Sequence, residues 1–212
     1  SGDAIAQAAL QSGIRCWIAH RIDPPSAGES VPVSEQVQRA ALLRQDYDQH
    51  EMISVCLALN QPLRFVPQDL MYFSSVAATW KCPVLLADTA GNGTFRANHT
   101  VAPMSHSFLA EHGLLNEYTT LVTDYPATSD VLQLLAEGSA RFCHCPESAY
   151  IDAAELVDVD ALLAHKVCVG LGTGCPGAGP DLDLFQQLNS MAKLHKAVYR
   201  DPTRIDSTTA LK

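Results

Sequence analysis

The sequence predicts an α/β fold built on a parallel βα repeat, and three observations predict it. Short apolar runs of strand length recur along the 212 residues. Between them lie stretches with helical spacing and helix-type start and stop residues. One run, Met52 to Leu59 (MISVCLAL), is apolar at nearly every position, the pattern of a strand buried on both faces. Strands separated by helices run parallel, because each crossover returns the chain to the same end of the sheet.

In chain order, residues 3–12 read as a helix capped by Asp3 and stopped at Gly13, followed by a strand from Ile14 to Ala19. Pro24, Pro25, Gly28 and Pro32 mark a loop over 23–32, a solvated linker or a flap. Ser34 is the expected cap of a helix running to Asp46, and Met52 to Leu59 is the second strand. Pro67 opens a helix through Trp80, and Pro83 to Ala87 is the third strand. Helix from Ala102 to His112, strand from Thr119 to Thr123, helix from Asp130 to Glu137 and strand from Ala140 to Cys145 follow. The repeat ends with a short helix from Val159 to Ala164, a strand from Val167 to Leu171 and a long helix from Asp181 to Val198. A further helix starts after Asp206. Six such units fit either a doubly wound sheet or part of a (β/α)8 barrel, and periodicity does not separate the two.

Composition narrows the function. A formal net charge of −9 with scattered Lys and Arg excludes nucleic acid as a main partner. No run reaches the ~18 apolar residues of a membrane helix, and Ser1-Gly2-Asp3 does not open a secretory leader. Seven cysteines, an odd number, sit mostly in apolar runs; this fits small buried hydrophobes in a reducing, cytoplasmic setting better than a disulfide framework. Cys143 and Cys145 share one strand face, but no CxxC pair marks a zinc site. Trp17 and Trp80 are expected core or edge anchors. His106 and His112 are six residues apart and do not share a helical face.

Three segments carry a family resemblance. Leu114 to Pro146 reads LLNEYTTLVTDYPATSDVLQLLAEGSARFCHCP, Val169 to Gly179 reads VGLGTGCPGAG, and Leu86-Ala87-Asp88-Thr89 stands before the long loop. They resemble, in order and spacing, the LLxxxTxLAHC…HCP, VGLGTD and HLAET motifs of the amidohydrolase superfamily, in particular its guanine deaminase and chlorohydrolase branch. MAKLHKAVYRDP, Met191 to Pro202, is similar to the helix after that family's last strand. The resemblance implies a partial or remodelled TIM-type (β/α)8 barrel, the six units here corresponding to strands 3–8. Residues 1–212 are then a single domain without the family's first two strands or its flanking β-sandwich.

The family's chemistry, as the resemblance implies it, uses a divalent metal to activate water, lowering its pKa toward neutrality. At the aligned ligand positions this sequence has Leu85, Thr123 and Gly174, and no His-x-His. Leucine and glycine have no side-chain lone pair, and a lone Thr hydroxyl is a poor zinc ligand. No metal or other cofactor is therefore expected. Asp88 stands where the family has its proton-shuttling Glu, and His144 is kept from the HCP triplet, so these two are the candidate catalytic residues. Leu85, Thr123, Thr173 and Gly174 are the expected pocket lining. The bland readings are a turn cap for Asp88 and a hydrogen-bonded core histidine for His144. The Gly-rich turn from Gly172 to Gly179 is structural or an anion cradle, and Asp181 and Asp183 speak against phosphate.

The expected function is an amidohydrolase-related pseudoenzyme or scaffold that binds a small molecule. The alternatives are an enzyme with changed, metal-independent chemistry on a ring-containing substrate, and a metal-dependent C–N hydrolase with ligands supplied elsewhere. Six of eight strands leave open edges, so a second copy or a partner chain is expected to cover them.

Overall fold

The computed structural model describes residues 2–24, 31–88, 106–123, 127–151, 156–174 and 182–211. Helices and strands alternate as predicted. The order is α1 (Gly2–Ser12), β1 (Cys16–Ile22), α2 (Val33–Asp46), β2 (Ile53–Asn60), α3 (Pro67–Trp80), β3 (Val84–Asp88), α4 (His106–Glu111) and β4 (Thr119–Thr123). Then come α5 (Ser129–Gly138), β5 (Arg141–His144), α6 (Pro146–Ile151), α7 (Val159–Ala164), β6 (Cys168–Leu171), α8 (Leu184–Tyr199) and α9 (Ser207–Ala210).

The strands form one six-stranded sheet in the order β1-β2-β3-β4-β5-β6, with parallel pairing between β1 and β2, β2 and β3, and β5 and β6. That order decides between the two windings the sequence leaves open. A doubly wound sheet reverses its strand order to place helices on both faces. Right-handed crossovers that always step in one direction return every helix to the same face, as in a (β/α)8 barrel.

The chain divides into two compact units. The first comprises Ser1–Ala87, Glu111–Leu114 and Tyr118–Thr120, and the second Asp88–Ala110, Leu115–Glu117 and Leu121–Lys212.

In the first unit, Ile18, Ile53 and Val55 pack under Ala6 and Ala9 of α1 and Leu43 of α2. Register places Ile18 beside Val55 and Ile22 beside Leu59 on this helix-covered side. The opposite side carries Trp17, Ala19 and Arg21, all exposed. Trp17 is 60% exposed on β1, at the end of the sheet order, which excludes the core reading and leaves the edge one. Trp80 closes α3 under Arg44, whose guanidinium stacks 5.3 Å from its ring centroid and donates to its carbonyl oxygen. β2 is buried on both faces over most of its length, as its continuous apolar run predicts.

In the second unit, Val159, Met191 and Ile205 form a core against Val169 and Leu171 of β6. Parallel register sets Phe142 beside Val169 and His144 beside Leu171, so β5 turns these two residues toward the same helices. Between them, Cys143 sits beside Gly170 on the other face. α5 ends where a Cβ on Gly138 would run into the Leu115 carbonyl oxygen, and Ser139 turns left-handed at φ 57°.

Several boundaries differ from the sequence reading. The first strand runs from Cys16 to Ile22 rather than from Ile14 to Ala19, because pairing with β2 carries it through the polar His20-Arg21. Ser34 is not a cap. Pro32 holds that position at ψ 145°, and no side chain caps the helix. The approach is instead tied by Gln36, which accepts from the Asp23 N–H and donates to the Asp23 and Val31 carbonyls. The long helix begins at Leu184, capped by Asp183, rather than at Asp181. α6 after the HCP triplet is an element the sequence reading lacks. The flap residues 25–30, His99, Asp124, Asp181 and the glycine-rich turn from Cys175 onward lie outside the described residues.

Candidate functional site

The strand ends that the resemblance singles out fall into the two units and are taken separately. In the first unit, Arg21, Ala58 and Leu85 form one row across β1, β2 and β3. This row lies opposite the buried Ile22, Leu59 and Leu86. Leu85 is thus on the side of the sheet away from the helices, and its side chain carries no lone pair.

In the second unit Asp88 closes β3, and its side chain lies outside the described residues. Thr123 is buried and shares its parity with Leu121, while Val122, facing the other way, is half-buried.

β5, α6, α8 and the turn after β6 are the best-defined part of the candidate site. The Gly172 N–H donates to the His144 carbonyl at 2.9 Å, which fixes the end of β6 against the end of β5. Thr173 is half-buried in the turn that follows. Gly174 has φ +70°, a left-handed conformation that favours glycine. A Cβ there would sit 2.8 Å from Ser148 Cβ and 3.0 Å from its Oγ. Ser148 of α6 therefore crowds any side chain built at position 174.

His144 is 1% exposed, and its ring meets the His195 ring edge-to-face at 5.9 Å. His195 lies on α8. Its Nδ1 is 2.8 Å from the Met191 carbonyl oxygen, and its Nε2 accepts from the Val159 N–H at 3.2 Å. The Val157 carbonyl oxygen also lies 3.1 Å from Nε2, so both ring nitrogens are held by backbone groups. His144 Nε2 is buried with no hydrogen-bond partner. Burial, and then the neighbouring His195, lower the His144 pKa to about 3, so the ring is neutral at physiological pH. His144 faces the helices, whereas the resemblance suggests a place at a pocket.

Next to it, the Glu147 side chain is buried, with no Lys or Arg pairing with it among the described residues. Gln187 Nε2 donates to its Oε2 at 2.9 Å and Ser190 Oγ to its Oε1 at 2.8 Å. The Glu147 N–H donates in turn to Gln187 Oε1. Sequence reasoning misses Glu147, Gln187 and His195. A signal was present, because Gln187, Met191 and His195 recur at four-residue spacing and form the buried stripe of α8.

On the other face of β5 lie Cys143 and, just past its end, Cys145. A hydrogen bond from the Cys145 thiol lowers the Cys143 pKa, against the opposing effect of burial. Among the described residues no group of three or more His, Cys, Asp or Glu side chains is arranged to hold a metal ion. Of the positions the resemblance aligns with metal ligands, Leu85 and Gly174 carry no side-chain donor and Thr123 carries a hydroxyl.

A singly wound parallel βα sheet with its candidate residues at the strand ends defines the class as barrel-type α/β. No protein-family model matches the chain. It is 26% identical, over 98% of its length, to a 5-methylthioadenosine/S-adenosylhomocysteine deaminase of Syntrophobacter fumaroxidans, of which it covers 48%. It is 24% identical over 99% to the enzyme of the same description from Aquifex aeolicus, covering 49% of it. An adenosine deaminase from Xanthomonas campestris with bound zinc superposes with a TM-score of 0.84 at 26% identity, over 99% of this chain and 48% of that one. Guanine deaminase from C. acetobutylicum, with a TM-score of 0.80 at 13% identity, over 99% of this chain and 53% of that one, shares the fold. The chain is similar in sequence and fold to deaminases of the amidohydrolase superfamily. It spans about half the length of the curated relatives it matches.

Proposed function

We propose that this chain carries the amidohydrolase-type βα array without its metal-hydrolytic site, and that it acts as a binding or scaffold protein. The observation that carries this reading is Gly174. The position aligned with the family's ligating Asp is a left-handed glycine, and Ser148 fills the space beside it. Leu85 adds a second ligand position with no donor atom. The neutral, helix-facing His144 supports a binding role over one in which this residue moves protons. A small ring-containing molecule is the ligand class to screen. The edge of β1, which among the described residues pairs with β2 alone, is where a second copy or a partner chain would add.

The test is elemental analysis of protein purified without chelators, together with a deamination assay on 5′-methylthioadenosine. The reading expects less than about a tenth of an equivalent of zinc, iron or manganese, and no ammonia release. It also expects Gly174→Asp to leave the metal content unchanged while lowering stability by roughly 1–3 kcal/mol, for the left-handed backbone and the collision with Ser148. Near one equivalent of tightly held metal, or turnover, would overturn it.

A further inference from the structure

Cys143 and Cys145 lie on the face of β5 turned away from the helices, and neither is a residue that the proposed function uses. Strand alternation explains why these thiols lie together. Phe142 and His144 point to the helices, so Cys143 points away from them beside Gly170. Cys145, two residues on, has the same parity. Both sulfurs converge on one spot: a Cβ on Gly172 would meet Cys143 Sγ at 2.7 Å and Cys145 Sγ at 3.0 Å. Glycine at 172 is what allows the two sulfurs to occupy that spot. At Gly170 a Cβ would meet nothing within 4 Å among the described residues, so none of them covers the thiol pair on that side. Cys143 is half-buried and Cys145 buried, and neither is in a disulfide.

The geometry points to Cys143 and Cys145 as a two-thiolate site for a soft monovalent cation of the Cu(I) class. Thiolates select soft ions. A four-ligand structural zinc site needs donors that this face does not supply among the described residues. Binding is a ligand exchange without redox change. Each S–H bond breaks, two S–metal bonds form, and two protons leave to solvent for each cation taken up. Neither sulfur stands at a family ligand position, so the site is independent of whether the hydrolytic function is lost.

The experiment is titration of the reduced, intact chain with Cu(I) against a chromogenic bicinchoninate competitor, in weak buffer that also reads proton release. One equivalent is expected to be withheld from the indicator, with about two protons released per ion. Cys143→Ser and Cys145→Ser should each weaken binding by more than about a hundredfold, beyond the range typical of residues that only orient ligands. Cys168→Ser, at an exposed thiol on the same strand pair, should leave it unchanged. Mass spectrometry of the unmutated chain after iodoacetamide treatment provides a readout independent of variant folding. Bound Cu(I) should protect Cys143 and Cys145 from alkylation. Full binding by either serine variant, or protection falling on Cys168 or Cys16 instead, would overturn the site.

Discussion

His144 is a titratable ring in an apolar setting, and its sign can be worked out. Its pKa is about 3 in the fold against an ordinary 6.5, so between those values the unfolded chain binds the extra proton. Its contribution is complete above pH 6.5 and is lost as pH falls through the window down to about 3. Between pH 7 and pH 5 the loss should be about 2 kcal/mol. Urea midpoints of the native chain and of His144→Phe across this range check it. The difference between the two curves should grow as pH falls, and parallel curves would show that His144 is not held neutral. Glu147 is a different case at the same scale. Its carboxylate is buried but satisfied by Gln187 and Ser190, so Gln187→Leu should cost roughly 1–3 kcal/mol by leaving an acceptor unpaired. Thermal or urea unfolding reads that cost directly.

At the scale of elements, helix ends decide much of the local geometry. Three of the helices in the C-terminal half start on an aspartate that accepts backbone N–H groups: Asp158 at α7, Asp183 at α8 and Asp206 at α9. Asp158 also meets Arg204, which bridges to Asp160 and stacks 4.1 Å from the Tyr199 ring centroid, joining α7 to the end of α8. Asp183→Ala should cost about 1 kcal/mol through the lost cap alone, measured as a shift in urea midpoint. Gly138→Ala should cost more, about 1–3 kcal/mol, because the added methyl meets the Leu115 carbonyl rather than a flexible side-chain end. A midpoint equal to that of the native chain would show that α5 can slide away from Leu115.

At the scale of the whole molecule, the first and last strands of the sheet each have one neighbour among the described residues. An unpaired parallel edge offers a row of backbone donors and acceptors to another chain. If a second copy adds at the β1 edge as proposed, light scattering after size exclusion returns more than the mass of one chain. A monomer at micromolar concentration would mean that β1 is blunted by its exposed residues, among them Arg21. Among the described residues no helix is long and apolar enough to cross a membrane.

By itself the sequence determined the alternation of helix and strand, the parallel direction of the strands and the family resemblance. Those follow from local periodicity and from motif spacing, both written along the chain. It also determined that Leu85 and Gly174 bring no metal donor, because that is a matter of side-chain chemistry. Only the tertiary structure decided the winding. Strand order is a fact about pairing between distant segments, and two orders share one periodicity. Only the tertiary structure turned His144 toward His195, closed Gly174 with Ser148 and brought two cysteine sulfurs together over Gly172. Alternation along a strand says which residues share a face. Which face meets the helices is fixed by partners far away in sequence, such as Leu171 and His195, and that is why the sequence left His144 with two readings.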